Sequence, residues 1–297
     1  MADRSTVESP ELSIIIPAFN ESQGIQAVLS ELCAEPALEA AEILVVDDGS
    51  NDDTCERVRQ FPRVLLIRHS VNMGYGAAIS SGVRACQGRY VVWYDADGQH
   101  QVQDLLVVVR TMISERLDYC IGVREDPSYQ APGRSLGKQI LKLAVVISVG
   151  RVVKDFNSGL RGFKRDVIKR YLHLLPRGFG ASTTTTLLMI ERGYLGKEVP
   201  ITTRNRIGVS SVNPLFDGFK TLMLVLRIFL LFKALVFFGG IGLVCILVGT
   251  IYGSAKAMSV GLGFPVAASI LIIFGIQAIF FGLLADQISA LRREKFE

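Results

Sequence analysis

Three short segments gather side chains able to do chemistry. Asp95 and Asp97 stand two apart in Tyr94–His100 (YDADGQH), directly after the apolar run Tyr90–Trp93. At a strand end, residues i and i+2 point to the same side, so these carboxylates repel unless a cation sits between them. Oxygen donors suit Mg2+ or Mn2+, held by one or two carboxylates plus substrate phosphates. Asp47 and Asp48 close a second apolar run and read either as ligand contacts or as turn residues; Asp52 or Asp53, before Thr54, fits a helix cap. Pro17-Ala18-Phe19-Asn20-Glu21 closes a third run. Asn72-Met73-Gly74-Tyr75-Gly76 reads as a tight approach and a helix start, its glycines either plain turn residues or a place where backbone closes on a nucleotide. His69, His100 and His173 form no triad in this reading; His100 either orients the acidic loop or sits in a solvated turn. Trp93, the single tryptophan, reads as a core strand residue.

Other chemistries lack their signatures. Neither the dinucleotide fingerprint nor a P-loop is present, so hydride transfer and ATP hydrolysis have no support. A net charge of +4 over 297 residues, without a basic cluster, offers no footprint for nucleic acid. The five cysteines lack metal-ligand spacing and read as buried small hydrophobes in a reducing compartment.

The acidic segments need strands to hold them. Short apolar runs recur at Leu12–Ile16, Ile43–Val46, Val64–Ile67, Tyr90–Trp93 and Tyr119–Val123. Amphipathic segments such as Gly24–Cys33, Gly76–Cys86 and Val102–Glu115 separate them. This alternation predicts an α/β fold, a mostly parallel sheet with helices on both faces. In such sheets ligands bind beyond the carboxyl ends of the strands, where the three segments fall.

Composition changes after Arg227. Residues 229–252 and 262–285 are apolar stretches long enough to cross a hydrocarbon core of about 30 Å. Lys233 snorkels to the headgroups in this reading, leaving Ala234–Tyr252 as the first span. Lys220, Arg227 and Lys233 flank one end of the pair and Arg292, Arg293 and Lys295 the other, which predicts cytosolic flanks and an external linker over 253–261. Residues 213–228 read as an amphipathic helix lying in the membrane interface. The organisation expected is an N-terminal tail (1–10), a cytosolic domain (11–212), the interfacial helix, two spans and a cytosolic tail (286–297). Met1–Pro10 has no apolar h-region, so no cleavable signal is expected.

The motifs, in their order, resemble the family 2 glycosyltransferases with the GT-A (Rossmann-like) fold. They are IIIPAFNE (Ile14–Glu21), VVDDGSNDDT (Val45–Thr54), NMGYGAA (Asn72–Ala78), YDADGQH, DFNSGLRGFKR (Asp155–Arg165), EVPI (Glu198–Ile201) and RIGVSS (Arg206–Ser211). With two C-terminal spans, the chain is similar to the polyprenyl-phosphate branch, which includes dolichol-phosphate mannose synthases and undecaprenyl-phosphate glucosyltransferases. The resemblance implies a nucleotide site at Pro17, Ala18, Glu21 and Asp48, with Asp47 and Gly74 nearby. It implies metal ligation by Asp95, Asp97 and Gln99, a diphosphate clamp at Arg206, and acceptor-phosphate contacts at Arg124, Arg134 and Lys138. Asp155 falls near the sugar, as an anchor rather than a base. Relatives suggest an oligomer packed through the membrane segments.

Two departures from the family pattern stand out. Ser211 occupies a position where many relatives have Lys. Ser182–Thr186 (STTTT) replaces a region where many carry an acid, and reads either as a change of sugar or as a helix start capped by Ser182. A processive polysaccharide synthase would carry a Gln-x-x-Arg-Trp motif, which this chain lacks. Another lipid or membrane acceptor, or a non-catalytic nucleotide-sugar-binding membrane protein, is the alternative.

Overall fold

The structure is a computed structural model that describes residues 10–124, 146, 155, 158–178, 180–205, 207, 223, 226–227, 230, 232–261 and 263–294. The interfacial segment 213–228 lies almost wholly outside the described residues. The chain divides into two compact units, one of residues 1–132 and 153–212 that forms an α/β domain, and one of residues 133–152 and 213–297 that holds the C-terminal helical pair.

In the first unit the five apolar runs all become strands: β1 (Leu12–Ala18), β2 (Glu42–Asp47), β3 (Val64–Arg68), β4 (Tyr90–Trp93) and β5 (Tyr119–Arg124). Helices α1 (Ser22–Ala34), α2 (Thr54–Val58), α3 (Tyr75–Ala85) and α4 (Val102–Ser114) connect them. Then follow β6 (Arg161–Lys164), α5 (Arg165–Tyr171), α6 (Ala181–Glu191) and β7 (Gly196–Ile201). The seven-stranded sheet has the order β3-β2-β1-β4-β6-β5-β7. β1 pairs in parallel with β2 and β4, and β2 with β3. Only β6 runs against its neighbours, β4 and β5, while β5 and β7 are parallel.

Hydrophobic burial holds this arrangement. Every residue of β1 and β4 is buried, as a sheet covered on both faces requires. Ile25, Leu29 and Leu32 of α1 and Leu105, Val108 and Met112 of α4 close one face over Ile14, Ile16 and Val92. At about 25 cal/mol per Å2 of apolar surface, each such side chain contributes roughly 1.5–3 kcal/mol. The four parallel strands β1–β4 therefore deliver their carboxyl ends to one edge, which β5 shares and from which β6 departs. Chain order reverses between β1 and β4, the switch point at which ligands bind in open α/β sheets.

The second unit is a hairpin of α7 (Ala234–Val260) and α8 (Val266–Glu294), each with a 26-residue stretch long and apolar enough to cross a membrane. A Cβ on Gly242 or Gly275 would lie 2.5–2.6 Å from the other's carbonyl oxygen, so the helices touch backbone to backbone there. Helix α7 continues through residues 253–260, expected as linker. Ala255, Lys256, Ala257 and Met258 are good helix formers, and termination waits for Gly261, at φ 68°. Likewise α8 runs past residue 285 to Glu294.

Candidate active site at the carboxyl edge of the sheet

Beyond β1 the chain turns through Asn20, whose φ of 54° is a conformation that asparagine tolerates better than most residues. Its amide accepts from Asn51 N–H at 2.9 Å, and its own N–H donates to Ser50 Oγ at 2.9 Å. Glu21 N–H donates to Thr54 Oγ1 and Ser22 N–H to Asp52. The β1 and β2 loops are thereby stitched together, with Pro17 and Ala18 beside Val46 and Asp47. Asp52, rather than Asp53, accepts from Thr54 N–H at 3.0 Å; Asp53 occupies the N-cap position without a side-chain bond.

Asp47 is fully buried and accepts from Ser50 N–H and Cys55 Sγ, with Arg68 at 3.4 Å. Asp48 accepts from Met73 N–H at 2.9 Å and Gly74 N–H at 2.7 Å, and meets His69 Nδ1 at 2.7 Å. His69 Nε2 lies 2.9 Å from Ser81 Oγ. Ser81, His69 and Asp48 thus form a hydrogen-bonded chain that folding, not sequence spacing, creates. Its role is structural, because Ser81 sits inside α3, where neighbouring N–H groups are spent on the helix.

The acidic tip follows β4. Asp97 is buried and its carboxylate accepts from Gln99 N–H at 3.1 Å; Gly98, at φ 72°, makes the turn. Asp95 Oδ1 accepts from Tyr75 Oη at 3.0 Å, and Oδ2 lies 3.6 Å from His100 Nε2. A Cβ on Gly159 would fall 1.8 Å from Asp95 Oδ2, so only glycine lets the carboxylate lie there. Burial pushes the Asp95 carboxyl up, but His100, Tyr75 and the charge of Arg161 outweigh it and leave it below the usual carboxylate range. His100 is buried, forms a backbone bridge with Thr203, and its carbonyl accepts from Tyr94 Oη at 2.6 Å, so it does not sit in a solvated turn. Arg204 N–H donates to Gln99 O and Ile207 N–H to Asp97 O, which ties both residues to the tip.

Arg124, at the end of β5, grips Asp155 with two bonds of 2.7 and 3.1 Å. Hydrogen bonding to Asp155 raises the Arg124 pKa despite burial, and Asp95 and Asp97 lie near enough to raise it further. Sequence reasoning missed Arg161. Its fully buried guanidinium donates to the carbonyls of Ser158 and Ser182 and to the hydroxyls of Thr185 and Thr186, and it stacks 5.7 Å from the Trp93 ring. Burial lowers its pKa to about 10. The STTTT stretch is therefore a polar seat for Arg161. Helix α6 starts at Ala181 with Gly180 as N-cap and no side-chain cap bond, so Ser182 is not the cap. Buried Cys55 and Cys86 thiols are pushed up to about 11, and Cys120 to about 12, chiefly by desolvation, as inert core residues.

Of the residues expected at the site, Pro17, Ala18, Glu21, Asp47, Asp48, Gly74, Asp95, Asp97, Gln99, Arg124 and Asp155 belong to the strand ends and loops of this edge. Arg134, Lys138 and Arg206 lie outside the described residues. No three His, Cys, Asp or Glu side chains form a metal cage among the described residues, so a divalent ion would need oxygens from a substrate. The donor set fits that demand: two carboxylates two residues apart, one of them fixed by Tyr75, beside a guanidinium that feels both.

A mostly parallel sheet with one reversed strand and an acidic tip at its switch point defines a GT-A-like fold. Glucosyl-3-phosphoglycerate synthase of Mycobacterium tuberculosis, solved with Mn2+, uridine-diphosphate-glucose and phosphoglyceric acid, superposes with a TM-score of 0.59 at 20% identity, covering 74% of this chain and 80% of that one. The chain belongs to glycosyl transferase family 2, matched over residues 13–172, and carries a GtrB C-terminal hairpin over residues 226–291. It is 31% identical to an uncharacterized protein of Methanocaldococcus jannaschii, over 73% of this chain and 91% of the relative. The UDP-N-acetylglucosamine–dolichyl-phosphate N-acetylglucosaminyltransferase of Methanococcus voltae is 27% identical over 64% of this chain and 84% of its own. The undecaprenyl-phosphate 4-deoxy-4-formamido-L-arabinose transferase of Pseudomonas syringae is 28% identical over 60% and 57%.

Proposed function

We propose that the protein transfers a hexose, with inversion, from a UDP- or GDP-linked nucleotide sugar to a polyprenyl phosphate at the cytosolic membrane face. The observation that carries this reading is the convergence of the β1, β2 and β4 ends on the acidic tip at the switch point. Relatives named for dolichyl- and undecaprenyl-phosphate acceptors, and the hairpin, support the lipid phosphate.

Asp95, Asp97 and Gln99 would hold Mg2+ or Mn2+, which supplies charge neutralisation for the donor diphosphate. Pro17, Ala18, Glu21 and Gly74 would line the nucleotide, with Asp47 shaping the loop. A carboxylate offers roughly four lone-pair positions; His69, Met73 and Gly74 occupy three on Asp48, which leaves one for the base or ribose. Arg206 would clamp the diphosphate, since Arg204 and Ile207 on either side are bonded to the tip.

The acceptor explains why no general base is required. A phosphate monoester has its second pKa near 6 and attacks the anomeric carbon without giving up a proton. Its difficulty is approaching another anion, which Arg124, Arg134 and Lys138 would relieve. Asp155, bonded twice to Arg124, acts as its anchor rather than as a base. In one displacement the acceptor oxygen bonds to the anomeric carbon as that carbon's bond to the nucleoside diphosphate breaks, the electron pair leaving with the diphosphate, which inverts the anomeric centre.

Purified protein incubated with labelled UDP- and GDP-hexoses and undecaprenyl or dolichyl phosphate tests the reading by organic extraction. Label should enter the lipid phase from one nucleotide class, stop on chelation and return with Mn2+. Transfer to polyprenol lacking phosphate, or transfer indifferent to chelation, would overturn it.

A further inference from the structure

We propose that Tyr75 is a positioning residue that couples the nucleotide loop to the acidic tip, so that Asp48 at the end of β2 sets the geometry of Asp95 at the end of β4. The inference rests on the metal reading above. Its basis is a continuous hydrogen-bonded path. Asp48, oriented by His69 and Ser81, binds the N–H groups of Met73 and Gly74 at 2.9 and 2.7 Å. Tyr75 follows at once, as the first residue of α3, and its phenol donates to Asp95 Oδ1 at 3.0 Å.

The loop between these contacts has little freedom. Gly74, at φ 98°, packs so closely on the Arg177 carbonyl that a Cβ there would lie 2.6 Å from it. The same carbonyl accepts from Ala77 N–H at 3.1 Å. Held by Asp48 on one side and Arg177 on the other, the loop delivers the phenol at a fixed height. Ser182 also bonds to that phenol. Asp95 is thus held at Oδ1 by Tyr75, while its Oδ2 lies against Gly159 and faces His100. Carboxylate orientation therefore depends on a loop that belongs to a different strand end, and a nucleotide settling against Gly74 would be felt at the metal ligand.

Mn2+ binding to the full-length protein in the presence of UDP, followed by electron paramagnetic resonance, tests this without turnover. Wild type should bind and Asp97→Ala should not. Tyr75→Phe keeps the ring and should bind Mn2+ about tenfold more weakly, the scale of one lost hydrogen bond to a charge, with circular dichroism unchanged. Asp48→Asn should weaken Mn2+ too, and the double variant should be no weaker than the worse single one. Should Asp48→Asn unfold, His69→Ala loosens the same clamp. Wild-type affinity in Tyr75→Phe, with Asp97→Ala still inactive in binding, would overturn the coupling and leave the metal reading standing. Effects that multiply in the double variant would overturn the link to Asp48. No Mn2+ binding by wild type would overturn both.

Discussion

Asp95 is shaped by neighbours that come from three separate elements, and the same is true of the buried cation behind it. Arg161 donates to two carbonyls and two hydroxyls, so Arg161→Met would strand the Ser158 and Ser182 carbonyls. We expect a loss of roughly 3 kcal/mol. Arg161→Lys should lose about 1–2 kcal/mol, because one ammonium cannot replace the planar fork. Trp93 is the only tryptophan and stacks on Arg161, so its fluorescence during unfolding reads both variants directly. A second test concerns Asp52. Burial raises its pKa, but bonds from Thr54 and Ser22 lower it further than that, leaving a depressed value. A depressed folded pKa contributes stability above the ordinary carboxyl value that is lost as pH falls through the folded one. Melting temperature should therefore fall less steeply below about pH 5 in Asp52→Asn than in wild type. Asp95, Asp97 and the strand-end acids were legible from residue type after an apolar run. Arg161 was not, because a lone arginine in a glycine-rich motif reads as a surface or phosphate contact until its hydroxyl seat on α6 is seen.

The elements place the site by a simple rule: parallel strands on either side of a reversal end at one edge. Five apolar runs predicted β1–β5 almost to the residue. β6 escaped notice because Arg-Gly-Phe-Lys is short and carries two cations, yet both its flanks are covered. β7 escaped because it is an edge strand with Lys197 and Glu198 exposed, the charged blunting that such strands use. β6 has a functional consequence: running antiparallel, it starts at the carboxyl edge and brings Gly159 against Asp95. Gly159→Ala must displace the Asp95 carboxylate, since its Cβ would lie 1.8 Å from Oδ2. Displacement on the order of 1 Å can cost about 100-fold in rate, so transfer should fall by about that factor while far-UV circular dichroism is kept.

For the molecule as a whole, the proposed function assigns the membrane to the hairpin and the chemistry to the α/β domain. Large apolar side chains such as Leu243, Val248, Phe274 and Phe281 are exposed on α7 and α8, as lipid contact would have it. The chain should stay in the membrane pellet after an alkaline carbonate wash. A single cysteine introduced at residue 261 should react with an impermeant reagent from outside, and one at residue 297 only after lysis. The two long apolar helices were legible because each stretch exceeds the roughly 20 residues that suffice to cross. The helix ends were not, because Ala255–Met258 continue a helix as readily as they make a polar linker.

The proposed transfer requires a divalent ion that joins the tip of β4 to a nucleotide diphosphate. Determining the structure with Mn2+ and UDP, and locating the metal by its anomalous signal, tests it most directly. The ion should appear bonded to carboxylate oxygens of Asp95 or Asp97, with diphosphate oxygens completing its shell. A diphosphate bound elsewhere, with both carboxylates turned to solvent and no metal between them, would rule that bridge out.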